Sequence, residues 1–341
     1  MLNFIFDYVY KLENVWQIII FIISLILGLF ILIKGADLFV DKASLLAKKI
    51  KIPSMIIGLT IVACGTSAPE ASVSIVSALN SSPELSVGNV VGSNIFNLLI
   101  VLGVSLLFSK IIIDRKFLKK DLSFMIITSI LLLVFSFFFG ASHALILIEG
   151  IILTIVFITY IVINIISAKR NPIQDETMNE IDSNNKKSQN LFICIVLLII
   201  GLLAIIVGGE LVTFGAKNIS LQIGISENLV GLTIVAAGTS LPELMTSVVA
   251  AKKGEKDIAL GNVIGSNIFN VAAILGLSAI IVPTPISLNN LIDIVIMCFI
   301  FIGFVIYILF KKELHKKDGI IMLGIYAVYL TYIIVRDFAI L

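Results

Sequence analysis

Two acidic residues, Glu70 and Glu243, stand in the middle of long apolar runs that would ordinarily exclude a carboxylate. Each has the same neighbours at the same spacing: a threonine four residues before (Thr66, Thr239), a serine three before (Ser67, Ser240), a proline directly before (Pro69, Pro242) and a glycine five before (Gly65, Gly238). On a helix, residues three and four apart share a face, so each hydroxyl pair flanks its glutamate, and Ala63 and Ala236 lie one further turn back. Proline has no N–H to give, which frees a carbonyl about one turn earlier, and glycine lets the backbone deviate at that point. The expectation is a helix broken at Gly65 and again at Gly238. Such a break inside a membrane is tolerated where the freed groups are buried or line a cavity. A carboxylate, hydroxyls and bare carbonyls around one point form a set of hard oxygen ligands.

The cluster occurs twice because the chain repeats itself. Gly58–Glu70 and Gly231–Glu243 are 173 residues apart and identical at eleven of thirteen positions. At the same offset, residues 88–97 (Gly-Asn-Val-Val-Gly-Ser-Asn-Ile-Phe-Asn) return as residues 261–270 with a single Val-to-Ile change. Ser93 and Asn97 are four apart, as are Ser266 and Asn270, so each pair shares a helix face and can complete a ligand shell. Gly88 with Gly92, and Gly261 with Gly265, are small-xxx-small pairs that permit close helix approach. Upstream, Gly35-Ala-Asp-Leu38 has its counterpart in Gly208-Gly-Glu-Leu211.

The elements that hold these residues are membrane helices. The 341 residues are 59% hydrophobic and 13% charged, outside the range of soluble domains. The apolar residues fall in runs of roughly 20 or more, enough to cross ~30 Å of hydrocarbon. Ten spans are predicted, near residues 15–40, 53–79, 86–109, 121–139, 144–168, 191–216, 227–251, 257–282, 289–310 and 318–338. Loop charge supports the count. With both termini outside, twenty of the 24 Lys and Arg fall in inner connections, and the outer side keeps only Lys11, Lys217 and Arg336, with Lys34 inside the first span. Five spans per half is an odd number, so the second half enters the membrane from the opposite side. The fold class is therefore an all-α integral membrane protein, ten transmembrane helices arranged as two inverted five-helix repeats. Residues 1–168 form the first, 169–190 a polar cytoplasmic linker, and 191–341 the second. Inverted repeats of this kind are the plan of secondary transporters, with the substrate bound near the midplane.

Other residues carry blander readings. Cys64, Cys194 and Cys298 lie in apolar spans and read as small hydrophobes. Thr60, Thr233 and Ser74 read as hydroxyls bonded back to their own helix. Asp37 and Asp41 read as paired structural charges near the inner end of the first span, with an ion-entry role open for Asp37 and its counterpart Glu210. Glu149 and Asp293 read as interfacial. The basic residues form short clusters between apolar runs, which gives no nucleic-acid signal and places the lysines against lipid headgroups.

The oxygen-only ligand set argues against soft and borderline metals and suits Ca²⁺, which takes about 6–8 oxygens. Two carboxylates balance one Ca²⁺ or two Na⁺. A carboxylate left without a cation in an apolar medium takes up a proton, so Ca²⁺, Na⁺ and H⁺ compete for one pair of glutamates. Competition at a site exposed alternately to each side suffices for antiport. Ca²⁺/H⁺ exchange or transport of another divalent cation stays open on this reading. A channel is disfavoured by the proline-broken repeats. An intramembrane hydrolase using Ser67 or Ser240 lacks a base, because His143 and His315 fall in loops on opposite faces.

The paired Gly-Thr-Ser-x-Pro-Glu and Gly-Ser-Asn-Ile-Phe-Asn segments resemble the α-repeats of the Na⁺/Ca²⁺ exchanger branch of the Ca²⁺/cation antiporter superfamily, in its prokaryotic form. The α-repeats would span 58–103 and 231–276, and the likeness covers nearly the whole chain. The resemblance implies a secondary antiporter, not an enzyme, with no prosthetic group; Ca²⁺ and Na⁺ are its transported ions. It would function as a monomer in the cell membrane. It further implies a Ca²⁺ site of Thr66, Glu70, Thr239 and Glu243. One Na⁺ site would use Ser67 and Ser266 with the carbonyl of Ala236, the other Ser93 and Ser240 with the carbonyl of Ala63. Asn97 and Asn270 would line the centre. Three Na⁺ per Ca²⁺ and sliding of the first and sixth spans belong to the same expectation. Several relatives, including K⁺-dependent ones, carry Asp where this chain has Asn270. That departure removes a third negative charge and weakens the case for K⁺ co-transport.

Overall fold

In the computed structural model of the chain, residues 14–79, 83–113, 115–138, 144–170, 190–223 and 236–340 are described, and nearly all of them are helical. Helices α1 (Asn14–Lys49) and α7 (Leu191–Gln222) are the longest, at 36 and 32 residues. At 1.5 Å per residue, each is about 50 Å long and exceeds the hydrocarbon thickness. Both outrun the expected spans, which ended near residues 40 and 216. Residues 41–50 contain neither Gly nor Pro, and α1 continues until Lys51 turns into the left-handed region (φ 55°), two residues before Pro53.

The two long helices lie antiparallel against each other. Gly215 faces Phe21 and Leu25, Gly28 faces Gly208 and Val212, and Phe39 faces Gly201, so one helix runs up as the other runs down. The contact is backbone against backbone. A Cβ at Gly208 would stand 2.6 Å from the amide nitrogen of Leu32. Only glycine permits that approach. Leu32, Phe39 and Val40 of α1 pack with Cys194 and Ile205 of α7 in a hydrophobic cluster distinct from the main core.

The main core is built around two buried helices. Helix α4 comprises Pro83–Phe96, a π-helical turn Asn97–Val101 and Leu102–Phe108; α10 comprises Lys256–Phe269, a π-helical turn Asn270–Leu275 and Gly276–Ile281. The widened turn starts at the same repeat position in both, Asn97 and Asn270. Around them pack α5 (Arg115–Phe138), α6 (Leu147–Arg170), α11 (Leu288–Leu309) and α12 (Lys316–Ile340).

Between core and outer pair run the interrupted helices. Helix α2 covers Ser54–Thr66, with a π-helical turn at Gly58–Val62, and α3 covers Ala68–Leu79, bent from α2 by 46°. The counterpart has α8 (Ala236–Thr239) followed by α9 (Leu241–Lys252). Both breaks fall at serine rather than at glycine as expected. Ser67 (φ −82°, ψ 11°) and Ser240 (φ −90°, ψ 6°) carry the distortion. The ring of Pro69 presses on the carbonyl one turn back, and the backbone relieves that clash by opening ψ two residues before the proline.

Among the described residues, eight helices are long and apolar enough to cross a membrane, and the bent α2–α3 pair makes a possible ninth. The protein is a multi-pass membrane protein. The start of the expected seventh span (227–235), residues 1–13 and linker residues 171–189 lie outside the described residues. Two short antiparallel clasps join the halves of the chain: β1 (Ile111–Ile112) pairs with β4 (Glu313–Leu314), and β2 (Ala144–Leu145) with β3 (Thr284–Pro285). Arg336 lies in the last turns of α12. Its guanidinium donates to both oxygens of Asp293 on α11, at 2.9 and 3.1 Å, which lets both charges stay in the helix bundle.

Candidate cation site

The two breaks decide where the glutamates stand. Each is followed at once by a new helix that begins Ala68-Pro69-Glu70 or Leu241-Pro242-Glu243. Proline is tolerated in a first turn, where its missing N–H has no helical partner to lose. A carboxylate in that turn meets the partial positive charge of the unpaired amides. Glu70 and Glu243 are thus both fully buried and both at a helix N-terminus. This local arrangement offsets part of the cost of placing charge there.

The two halves then cross over. Ser67 Oγ donates to Glu243 Oε1 at 2.7 Å, and Ser240 Oγ donates to Glu70 Oε1 at 2.8 Å. Thr66 Oγ1, one turn before Glu70, donates to Asn262 Oδ1 at 3.0 Å on the opposite half. Each carboxylate therefore has one oxygen held by the opposite half. The other oxygen of each, Glu70 Oε2 and Glu243 Oε2, is buried without a hydrogen-bond partner. Ser93 Oγ, Asn97 Oδ1 and Asn270 Oδ1 are unpartnered as well. Buried polar atoms are nearly always paired, so these five bare oxygens call for an explanation. Hard cations take this donor chemistry.

The Ala63 carbonyl accepts from Ser266 Oγ at 3.4 Å. The reason is packing of α2 on α10. A Cβ at Gly265 would lie 2.5 Å from the Leu59 carbonyl oxygen and 2.7 Å from Ala63 Cβ, so the Ala63 segment is pressed against the helix that carries Ser266. Gly261 makes a similar approach to Met55 and Leu59. The stretch the repeat would set against Gly88 and Gly92 falls largely outside the described residues. Ala236 opens α8, and its side chain is also outside them.

Several asparagines escaped the sequence reading. Asn262 Nδ2 donates to Ser247 Oγ (2.9 Å) and to the Glu243 carbonyl (3.4 Å), while Asn262 Oδ1 accepts from Thr66 Oγ1 (3.0 Å). Asn89, its repeat counterpart, donates to Ser74 Oγ (3.0 Å) and to the Glu70 carbonyl (3.5 Å). Ser74 thus serves as an acceptor from another helix, not as a mere bond back to its own. Thr60 does bond back, to the Ile56 carbonyl at 2.6 Å, and Thr233 lies outside the described residues. The available signal was the Gly-Asn pair at 88–89 and 261–262, identical in both repeats. Asp37 and Asp41 pair with Lys253, whose Nζ lies 3.3 and 2.8 Å from their carboxylates.

The chain is similar to known proteins over most of its length. The family described as sodium/calcium exchanger protein matches residues 20–166 and 193–335. Sodium/calcium exchanger MaX1 of Methanosarcina acetivorans is 32% identical over 340 residues, covering 90% of this chain and 96% of that protein. Inner membrane protein YrbG of Escherichia coli strain K12 is 35% identical over 265 residues, covering 77% and 80%. Among solved structures, the sodium-calcium exchanger NCX_Mj soaked with 10 mM Na⁺ and no Ca²⁺ superposes with a TM-score of 0.77 at 33% identity, over 92% of this chain and 99% of the other. With Glu70 and Glu243 buried beside matching helix breaks and the match extending through both halves, the chain belongs to the sodium/calcium exchanger protein family, whose members are membrane transporters and not enzymes.

Proposed function

We propose that this protein is a secondary antiporter that exchanges Na⁺ for Ca²⁺ by alternating access at one buried site. The observation that carries the reading is the crossed glutamate pair: one oxygen of each is held by the other half's serine, and the second is bare and buried. Glu70, Glu243, Thr66 and Thr239 hold Ca²⁺. Ser67, Ser240, Ser93, Ser266 and the carbonyls of Ala63 and Ala236 contribute the flanking Na⁺ ligands, and Asn97 and Asn270 line the centre. With two carboxylates only, the occupied site is neutral with one Ca²⁺.

The frame of the proposal is ten transmembrane helices in two inverted repeats, residues 1–168 and 191–341, with α-repeats 58–103 and 231–276. Three things support it: the matching helix breaks, the π-helical turns starting at Asn97 and Asn270, and the two strand clasps that each join one half to the other. Loop charge places both termini outside and the 169–190 linker in the cytoplasm. The protein acts as a monomer surrounded by lipid.

Ca²⁺ uptake into proteoliposomes against an outward Na⁺ gradient, at clamped voltage, tests the coupling. Uptake that follows the Na⁺ gradient is expected. Uptake indifferent to Na⁺ and driven by a pH gradient would overturn Na⁺ coupling in favour of H⁺.

A further inference from the structure

The first asparagine of each Gly-Ser-Asn-Ile-Phe-Asn segment has no role in the site as described above. These residues are Asn94 and Asn267, and both are buried, at 0% and 1% exposure. Asn94 is engaged through both amide atoms across the repeat boundary. Its Oδ1 accepts from Asn270 Nδ2 at 3.1 Å, and its Nδ2 donates to the Asn267 carbonyl at 3.1 Å. This fixes the Asn270 carboxamide with its nitrogen turned to Asn94 and its oxygen bare.

The repeat supplies the same chemistry in the other direction. There, Asn97 Nδ2 would donate to Asn267 Oδ1, and Asn267 Nδ2 to the Asn94 carbonyl. Neither bond is made. Both amide atoms of Asn97 and both of Asn267 are buried without any partner. One arm is closed and its twin is open, although the residues are identical. Leaving four such atoms bare is unfavourable, and a mere packing role gives no reason for it. Sequence-identical arms in different states are what an alternating structure contains when it is caught on one side of its cycle.

We infer that Asn94 and Asn267 are positioning residues that alternate: each clamps the central asparagine of the opposite repeat, Asn270 or Asn97, with its carboxamide oxygen turned to the ions in one access state, and releases it in the other. This rests on the reading that Asn97 and Asn270 line the cation site. Because each central asparagine begins a π-helical turn, its release also frees the first residue of a widened backbone segment.

The test uses full-length protein in oriented membrane vesicles, with the apparent Ca²⁺ affinity measured separately at each face. Asn94→Ala should weaken it about fivefold at one face and little at the other, the size expected for one neutral hydrogen bond. Asn267→Ala should do the same at the opposite face. In an Asn270→Ala background, Asn94→Ala should add no further loss, whereas in an Asn97→Ala background its effect should persist. Equal shifts at both faces, or full additivity with Asn270→Ala, would overturn the inference. Asn267→Ala gives up no side-chain hydrogen bond in this conformation, so it tests the clamp with Asn97→Ala even if Asn94→Ala does not fold. Glu70→Gln keeps the two readings apart. If Glu70→Gln is inactive and both asparagine variants shift neither face, the clamp fails alone. If Glu70→Gln exchanges normally, the site reading itself fails.

Discussion

At the residue scale, a serine hydroxyl held 2.7 Å from the opposite glutamate does more than supply a ligand. It fixes which carboxylate oxygen remains for a cation. Neutralising either glutamate removes half the formal charge, and Glu70→Gln or Glu243→Gln is expected to reduce radiolabelled Ca²⁺ exchange to background in reconstituted vesicles. Near-normal flux in either variant would remove the site from consideration. The supporting asparagines are expected to differ in weight. Asn262 makes three hydrogen bonds and Asn89 two. Asn262→Ala should therefore cost about 2 kcal/mol in thermal unfolding assays, and Asn89→Ala less. The reverse order would contradict this account of the shell. The sequence made Glu70, Thr66 and Ser67 legible because a carboxylate, a proline and hydroxyls inside an apolar run violate its pattern. Asn89 and Asn262 were not legible. Their work is done across helices, at sequence separations that no local spacing encodes.

At the element scale, the long helices were readable and their distortions were not. An apolar run of 20 or more residues has one outcome in a bilayer, whereas a π-helical turn at Asn97 depends on what packs against it. The displaced break is similar. Pro69 predicted that α2 would fail, but the site of failure, Ser67, follows from which ψ opens most easily to relieve the proline ring. Helix contact also escaped composition. Gly208 and Gly324 look alike in sequence, yet a Cβ at Gly208 meets the Leu32 backbone at 2.6 Å and one at Gly324 points out from an exposed position. Gly208→Leu should separate α1 from α7 and lower thermal stability in detergent by roughly 2 kcal/mol or more, and Gly324→Leu should leave it within about 0.5 kcal/mol. Equal effects of the two would show that the α1–α7 seam tolerates a side chain.

At the scale of the whole molecule, the two strand clasps tie each half to the other, and the outer helix pair α1–α7 packs in its own hydrophobic cluster. An architecture of this kind moves charge only as the ions in its centre dictate. On the proposed site, two carboxylates and one Ca²⁺ sum to zero, while with three Na⁺, the number that the family resemblance implies, the same carboxylates would carry one positive charge. The voltage-dependent limb is then the Na⁺ limb. Moving one charge across the full field amounts to ~2.3 kcal/mol per 100 mV, so the effect is large enough to measure. Ca²⁺/Ca²⁺ self-exchange in potassium-loaded proteoliposomes should accordingly be insensitive to a valinomycin-imposed potential, and Na⁺/Ca²⁺ exchange should follow it. Asn270→Asp supplies a third negative charge at the centre. The Ca²⁺-loaded site then carries one negative charge and the Na⁺-loaded site none, so the voltage dependence should transfer to self-exchange. Voltage-sensitive self-exchange in the unaltered protein, or no transfer in the variant, would mean that the charge carried through the membrane is not set by Glu70 and Glu243.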